Sequence, residues 1–275
     1  MDTNIINELN NEVKLGVIGC GKMASAILSG VINKKFLSPE NIFVFDVNKD
    51  TLNNISNKFS FNPVSSIEEI LKESNVLLLS TKPFVVDEVL VEINKNYNKH
   101  LILSILAGVK IEKFINILPN SKVIRIMPNT PALVNEGMSA ICKADNVTIE
   151  EFDFAMQLMS TCGKVIQTTE DKIDIITALS GSGPAFYFKI IQLLAQSAQK
   201  LGLNKEEALL LSTQTALGSA KMIFENNYDI EQLIKNVTTP GGCTEVGNNV
   251  LNNSNIAGIF DKLIKDTMQK AIELG

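Results

Sequence analysis

Residues 14–24 read KLGVIGCGKMA, and this stretch decides the fold. The apolar run from Lys14 to Ile18 predicts a strand. It ends in the turn Gly19-Cys20-Gly21-Lys22-Met23-Ala24, and a helical pattern begins at Met23. Glycine at 19 permits a tight turn, glycine at 21 lets a pyrophosphate approach the backbone, and Ala24 lets the helix lie close on the strand. The helix start then offers unpaired N–H groups and partial positive charge to phosphates. Strand, turn and helix in this order point to a dinucleotide.

Outward from that turn, short apolar runs alternate with helical patterns. Strands are expected at Lys14–Ile18, Ile42–Asp46, Val76–Ser80, Leu101–Ile105 and Val123–Ile126, with helices near 23–34, 50–58, 67–73, 85–95 and 111–117. Alternation at this spacing means βαβ units in a parallel sheet. The central runs are apolar throughout, as expected of strands covered on both faces. Two further runs, Met138–Cys142 and Lys164–Gln167, flank a helix at 149–160 and should extend the sheet. After about residue 170 no strand follows, and helices are expected over 184–201, 205–224, 229–236 and 256–272. The reading is a Rossmann-type parallel sheet domain at 1–170 and an all-α domain at 171–275. Small residues (Ala216, Gly218, Ser219, Ala220) sit on an apolar pattern in the second of those helices. A helix apolar on more than one side needs another partner, so the C-terminal helices should build a homodimer; the bland alternative is a monomer whose two domains cover those faces.

Bulk properties narrow the function. The 275 residues are 45% hydrophobic and 20% charged, an ordinary globular composition. A formal net charge of −5 argues against a nucleic-acid partner. No apolar run is long enough for a bilayer, and MDTNIINELNNEV has no signal-peptide pattern, so a cytoplasmic enzyme is expected. The cysteines Cys20, Cys142, Cys162 and Cys243 form no C-x-x-C pair, and His100 is the only histidine. Neither a metal site nor a disulfide framework is expected. His100 precedes the run LILSIL and reads as a solvated loop residue. The abundant asparagines read as polar connections.

Several residues stand where ligands bind in open sheets, outside the carboxyl ends of the strands. Asp46 closes the second strand, where an acid can accept from ribose hydroxyls and repel a 2′-phosphate. That leans toward NADH over NADPH; the bland reading is a strand-end cap, and Asn48 and Lys49 leave room for a phosphate. Lys82, in Thr81-Lys82-Pro83, is placed for phosphate or ribose, or is a surface lysine. Ala107-Gly108 follows the fifth strand and permits close approach of the nicotinamide half. Arg125 to Pro131 carries two prolines in an irregular loop, a wall for a pocket or only a turn. Leu179-Ser180-Gly181-Ser182-Gly183-Pro184-Ala185 allows tight backbone contact with a helix or a ligand. Pro240-Gly241-Gly242-Cys243-Thr244 opens another helix whose free N–H groups make a carboxylate site, or an ordinary capped start.

The segments IGCGKMA, STKP, ILAGV, RIMPNTPALVNEGMSA, ALSGSGPAFYF and VTTPGGCTEVG together resemble the pyrroline-5-carboxylate reductases, in order and spacing, from Lys14 onward. The resemblance implies reduction of 1-pyrroline-5-carboxylate to L-proline with NADH or NADPH, and intertwined dimers often assembled into rings such as decamers. It implies cofactor contacts at Gly19, Cys20, Gly21, Lys22, Met23, Ser80, Thr81, Lys82, Pro83, Ala107, Gly108 and Asn236; Ile18, Asp46 and Asn48 join them as expected contacts from the reading of the strand ends. The family's substrate threonine falls on Thr244, the expected catalytic residue; Ser182, Gly241, Gly242 and Cys243 join it as expected substrate contacts from the reading of the two glycine-rich loops. The chain departs from the pattern at Asp46-Val47-Asn48, where many members are polar or basic, and at Ile67, where many carry an asparagine. Two other readings exist. A 3-hydroxyacid dehydrogenase needs a lysine closer to a glycine turn than Lys189 is to Gly183, and an asparagine where Leu193 stands. A nucleotide-sensing module leaves the SGSGPA and TTPGGCT loops unexplained.

Overall fold

The computed structural model describes residues 13–227 and 229–274. These form two compact units: one runs to Ser182 and includes the chain from Thr267, and the other is Gly183–Asp266. The first unit contains β1 (Leu15–Ile18), α1 (Lys22–Asn33), β2 (Ile42–Phe45), α2 (Lys49–Phe59), β3 (Asn62–Pro63), α3 (Ile67–Glu73), β4 (Val76–Leu79), α4 (Val86–Asn94), β5 (Leu101–Ser104), α5 (Ile111–Ile117), β6 (Lys122–Met127), β7 (Gly137–Lys143), α6 (Ile149–Ser160), β8 (Gly163–Gln167) and α7 (Ile173–Ile176). Helical chain then continues as α8 (Gly183–Lys200), α9 (Lys205–Glu225), α10 (Ile230–Val237), α11 (Cys243–Asn252) and α12 (Ile256–Leu274).

The eight strands form one sheet in the order β3-β2-β1-β4-β5-β6-β7-β8. Every neighbouring pair is parallel except β6 and β7. The exception follows from the connection: Pro128 to Glu136 is a short loop with a 3₁₀ turn at Thr130–Val134, too short for a crossover helix, so the chain must reverse. Strands LGVI, VLLL and LILS are buried at every residue. Helices cover both faces, so no position alternates toward water. Each fully buried leucine or isoleucine contributes roughly 1.5–3 kcal/mol relative to exposure. On α1, Ala24, Ala26, Ile27, Leu28 and Val31 supply the buried stripe. Two-residue β3 was not expected; it adds Asn62–Pro63 at the sheet edge, where a proline's missing donor is tolerated.

His100 corrects the reading from sequence. It is 3% exposed. The residue begins the line that enters β5, next to Leu101, which pairs with Val76 and Lys122 on either side. That register carries the imidazole under α3, where Nε2 lies 3.0 Å from the Leu71 carbonyl oxygen. Desolvation holds its pKa below the usual 6.5, against the opposing hydrogen bonds at Leu71 and Ser74. A polar neighbourhood in sequence was therefore no guide to burial at the sheet's amino-terminal edge.

In the second unit, α8 and α9 pair along their length. Only Ala208 of α9 is buried. Leu209, Leu210, Leu211, Leu217, Val246 and Val250 stand exposed, Val250 at 67%. A 21-residue helix with a single buried residue leaves much apolar surface open.

Candidate active site

The turn after β1 is set by two backbone hydrogen bonds. Gly19 N–H donates to the Phe45 carbonyl at 2.9 Å, and Ser80 N–H donates to the Ile18 carbonyl at 2.9 Å. Gly19 has φ of +94°, and a Cβ there would lie 2.7 Å from the Ser80 carbonyl oxygen. Only glycine fits both demands. Gly21 is different: nothing lies within 4 Å of the position its Cβ would take. It precedes α1, whose start carries no side-chain cap. Open space beside uncapped N–H groups is what a pyrophosphate requires.

Asp46 holds this turn from β2. Its Oδ2 accepts from Cys20 N–H at 2.7 Å, and its Oδ1 accepts from Asn48 N–H at 2.8 Å. The Cys20 thiol is buried and its Sγ lies 3.6 Å from the Phe45 carbonyl. Burial, then the Asp46 charge, pushes that thiol up to about 12. Cys20 therefore serves the turn through its N–H, and its side chain fills the core. Asn48 caps α2, its side chain accepting from Thr51 N–H at 3.0 Å.

A cavity of about 1180 Å³ opens at the carboxyl ends of β1, β2, β4 and β5. It is lined by Ile18, Gly19, Gly21, Lys22, Met23, Asp46, Ser80, Thr81, Lys82, Pro83 and Ala107, all expected from the sequence. Cys20, Asn48 and Gly108 are not on its wall. Phe45, Val47, Ile67, Phe84, Val85, Glu88, Val89 and Ile105 complete the lining and were not singled out as contacts; Thr130 joins them from the Arg125–Pro131 loop, which the sequence offered as a pocket wall. Ile67 had been noted only as a departure. Val47 is 89% exposed and Phe84 83%, so two apolar side chains stand open at the rim. Apart from Thr130, no local pattern marks these lining residues as contacts; sheet order gathers them from strand ends, loops and helix starts. The volume, the apolar lining and the glycine turn fit a nicotinamide dinucleotide.

Beyond β6 the chain is anchored from below. Arg125 is buried, with Nη1 3.0 Å from Glu170 Oε1 and Nη2 3.9 Å from Asp174 Oδ1. Glu170 Oε1 also accepts from Ile111 N–H at 2.8 Å. One carboxylate thus ties β6 to the start of α5. Residues 177–181 form a π-helical turn, closed by Ser182 N–H to the Thr177 carbonyl at 2.8 Å. π-turns concentrate at functional sites. Ser182, half-buried, follows it directly.

In the second unit, the loop before α11 is also ordered from within. Gly242 N–H donates to the Thr239 carbonyl at 2.9 Å, and Gly241 N–H donates to Glu245 Oε2 at 2.8 Å. Asn248 Nδ2 donates to Thr238 Oγ1 at 2.9 Å. No side chain caps α11 at Gly242. Cys243 and Thr244 are exposed on its first turn, where backbone N–H groups await an acceptor. Asn236 lies on α10, its Oδ1 accepting from Gln232 Nε2 at 2.7 Å. Among the described residues, no three His, Cys, Asp or Glu side chains cluster as a metal-ligand set, and no helix is long and apolar enough to cross a membrane.

Comparison with known proteins follows this division of the chain. Residues 170–274 match the family model for pyrroline-5-carboxylate reductase dimerisation, and residues 14–108 match that for NADP oxidoreductase, coenzyme F420-dependent. The pyrroline-5-carboxylate reductase of Methanosarcina acetivorans is 35% identical over 95% of this chain and 98% of its own length. That of Arabidopsis thaliana is 37% identical over 85% of each. Among solved structures, the Coxiella burnetii pyrroline-5-carboxylate reductase has a TM-score of 0.90 at 33% identity, over 96% of this chain and 98% of that one. The Plasmodium falciparum pyrroline carboxylate reductase with NADP bound has a TM-score of 0.86 at 30% identity, over 96% and 98%.

Proposed function

This chain belongs to the pyrroline-5-carboxylate reductase family, and from that premise we propose a cytoplasmic, NADH-preferring enzyme in which Thr244 orients the imine. The reaction is reduction of 1-pyrroline-5-carboxylate to L-proline. NADH or NADPH, when bound, supplies the hydride. The observation that carries the reading is the Gly19–Gly21 turn opening onto the cavity at the strands' carboxyl ends.

The chain's own residues divide the work. Uncapped N–H groups of α1 and the Lys22 and Lys82 ammonium groups hold the diphosphate. Asp46 carries negative charge at the end of β2, which disfavours a 2′-phosphate and supports the preference for NADH. Backbone N–H groups of Gly242, Cys243 and Thr244 hold the substrate carboxylate, and Gly241 shapes their turn. Ser182 lies against the substrate, and Asn236 meets the cofactor. The Thr244 hydroxyl donates to or accepts from the ring nitrogen and fixes the imine carbon; solvent delivers the proton. No histidine is required, in keeping with a single, buried His100. Rate enhancement then comes mainly from proximity and orientation.

The exposed apolar helices of the second unit support self-association. The chain assembles with copies of itself as a dimer, and dimers assemble further into a ring. A second subunit walls the site. Substitution of Thr244→Ala tests the chemistry: kcat/KM for the imine falls at least about a hundredfold while NADH affinity stays within about twofold. Equal loss of NADH affinity would assign Thr244 to the cofactor instead.

A further inference from the structure

Asn129 is 8% exposed, yet polar at both ends of its amide. Its Nδ2 lies 3.2 Å from the Ser180 carbonyl oxygen and 3.3 Å from Ser180 Oγ. Its Oδ1 accepts from Met138 N–H at 2.8 Å. One buried side chain therefore ties the end of β6 to β7 and to the π-helical turn at 177–181. The next residue, Thr130, lines the cavity beside Ile105 and Ala107. The neighbouring Met127 completes the seam: its methyl stands where a Cβ on Gly181 would come within 2.3 Å.

A buried amide costs free energy unless its groups are paired, and a fully paired one specifies a single local arrangement. Here that arrangement joins two pieces of the site. The Thr130 wall borders the β5 end of the cavity, where close approach of the nicotinamide is expected. The π-turn delivers Ser182. We propose that Asn129 is a positioning residue: it locks the Ser180–Ser182 segment to the nicotinamide-end wall and so sets substrate against hydride donor. The inference rests on the reading of Ser182 as a substrate contact given under the proposed function.

Asn129→Ala and Asn129→Asp test it. Alanine deletes every contact. Aspartate keeps the acceptor for Met138 N–H but turns an oxygen toward the Ser180 carbonyl, so it should be no better than alanine. Both variants should lower kcat by about ten- to a hundredfold. Affinity for ADP-ribose, which lacks only the nicotinamide ring, should stay within about twofold, and the fluorescence of bound NADH should change as its ring environment loosens. Ser180→Ala removes only the 3.3 Å hydroxyl contact and should lower kcat by roughly two- to fivefold, which keeps the test alive if the Asn129 variants fold poorly. Unchanged kcat in Asn129→Ala, wild-type kcat in Asn129→Asp, or matching losses in ADP-ribose affinity would each overturn the positioning role. A wild-type chain that reduces no cyclic imine would instead remove the functional reading itself.

Discussion

Asp46 Oδ2 lies 2.7 Å from the Cys20 backbone nitrogen and accepts its hydrogen. This contact joins β2 to the glycine turn, so a residue read as a cofactor contact is also a structural latch. Its other oxygen is engaged by Asn48 N–H at 2.8 Å. Hydrogen bonds to a charged acceptor are stronger than neutral ones. Asp46→Asn loses one acceptor and the charge. NADH affinity should fall about tenfold, and the ratio of NADPH to NADH affinity should rise, because the charge opposing a 2′-phosphate is gone. Fluorescence titration with each cofactor measures both; unchanged NADH affinity would refute the latch.

Gly19→Ala probes the turn from the opposite side. At φ of +94° a side chain is strained, and its Cβ would lie 2.7 Å from a backbone carbonyl that cannot swing away. The cost is about 1–3 kcal/mol. Thermal unfolding should shift down by several degrees, and NADH binding should weaken. A variant with wild-type melting temperature and wild-type titration would show that the turn tolerates a side chain.

His100 predicts a pH dependence of stability. Burial lowers its folded pKa below the usual 6.5. Above 6.5 the ring is neutral in both states and contributes no pH dependence. As pH falls below 6.5 the unfolded chain takes up a proton that the folded chain resists, so stability is lost, by at most roughly 1.4 kcal/mol per pH unit, until the folded pKa is reached. Denaturant unfolding of wild type and His100→Gln across pH 5 to 8 isolates this contribution as the difference between the two curves. A difference that stays flat below 6.5 would contradict it.

Thiol chemistry separates the four cysteines. Cys20, Cys142 and Cys162 are buried, and desolvation pushes them up to about 12, 11 and 11. Thiolate is the reactive form, so these three should resist alkylation at neutral pH. Cys243 is exposed beside Thr244. Mass-mapped alkylation should label Cys243 first, and substrate or proline should slow it. Early labelling of Cys20 would show that the glycine turn opens.

The sheet was legible because its inner strands are apolar on both faces: LGVI, VLLL and LILS need no partner information to read as strands. The turn at 19–24 was legible because its glycines answer a local steric demand. What stayed hidden depends on register and strand order. His100 looked solvated from KNYNKH and is buried by the pairing of Leu101. Val47 after β2, Ile67 at the start of α3, Phe84 before α4 and Thr130 after β6 reach one cavity, and no spacing rule joins them. Asn129 was lost among many polar asparagines, since its partners are Ser180, 51 residues away, and Met138.

The most direct measurement follows the hydride. Purified protein is given 1-pyrroline-5-carboxylate and NADH deuterated at both C4 positions, and the product is examined by mass spectrometry. L-proline carrying one deuterium at C5 is the result expected if this chain moves hydride from the nicotinamide to the imine carbon. Cofactor that binds without forming proline, or proline free of deuterium, would contradict the account.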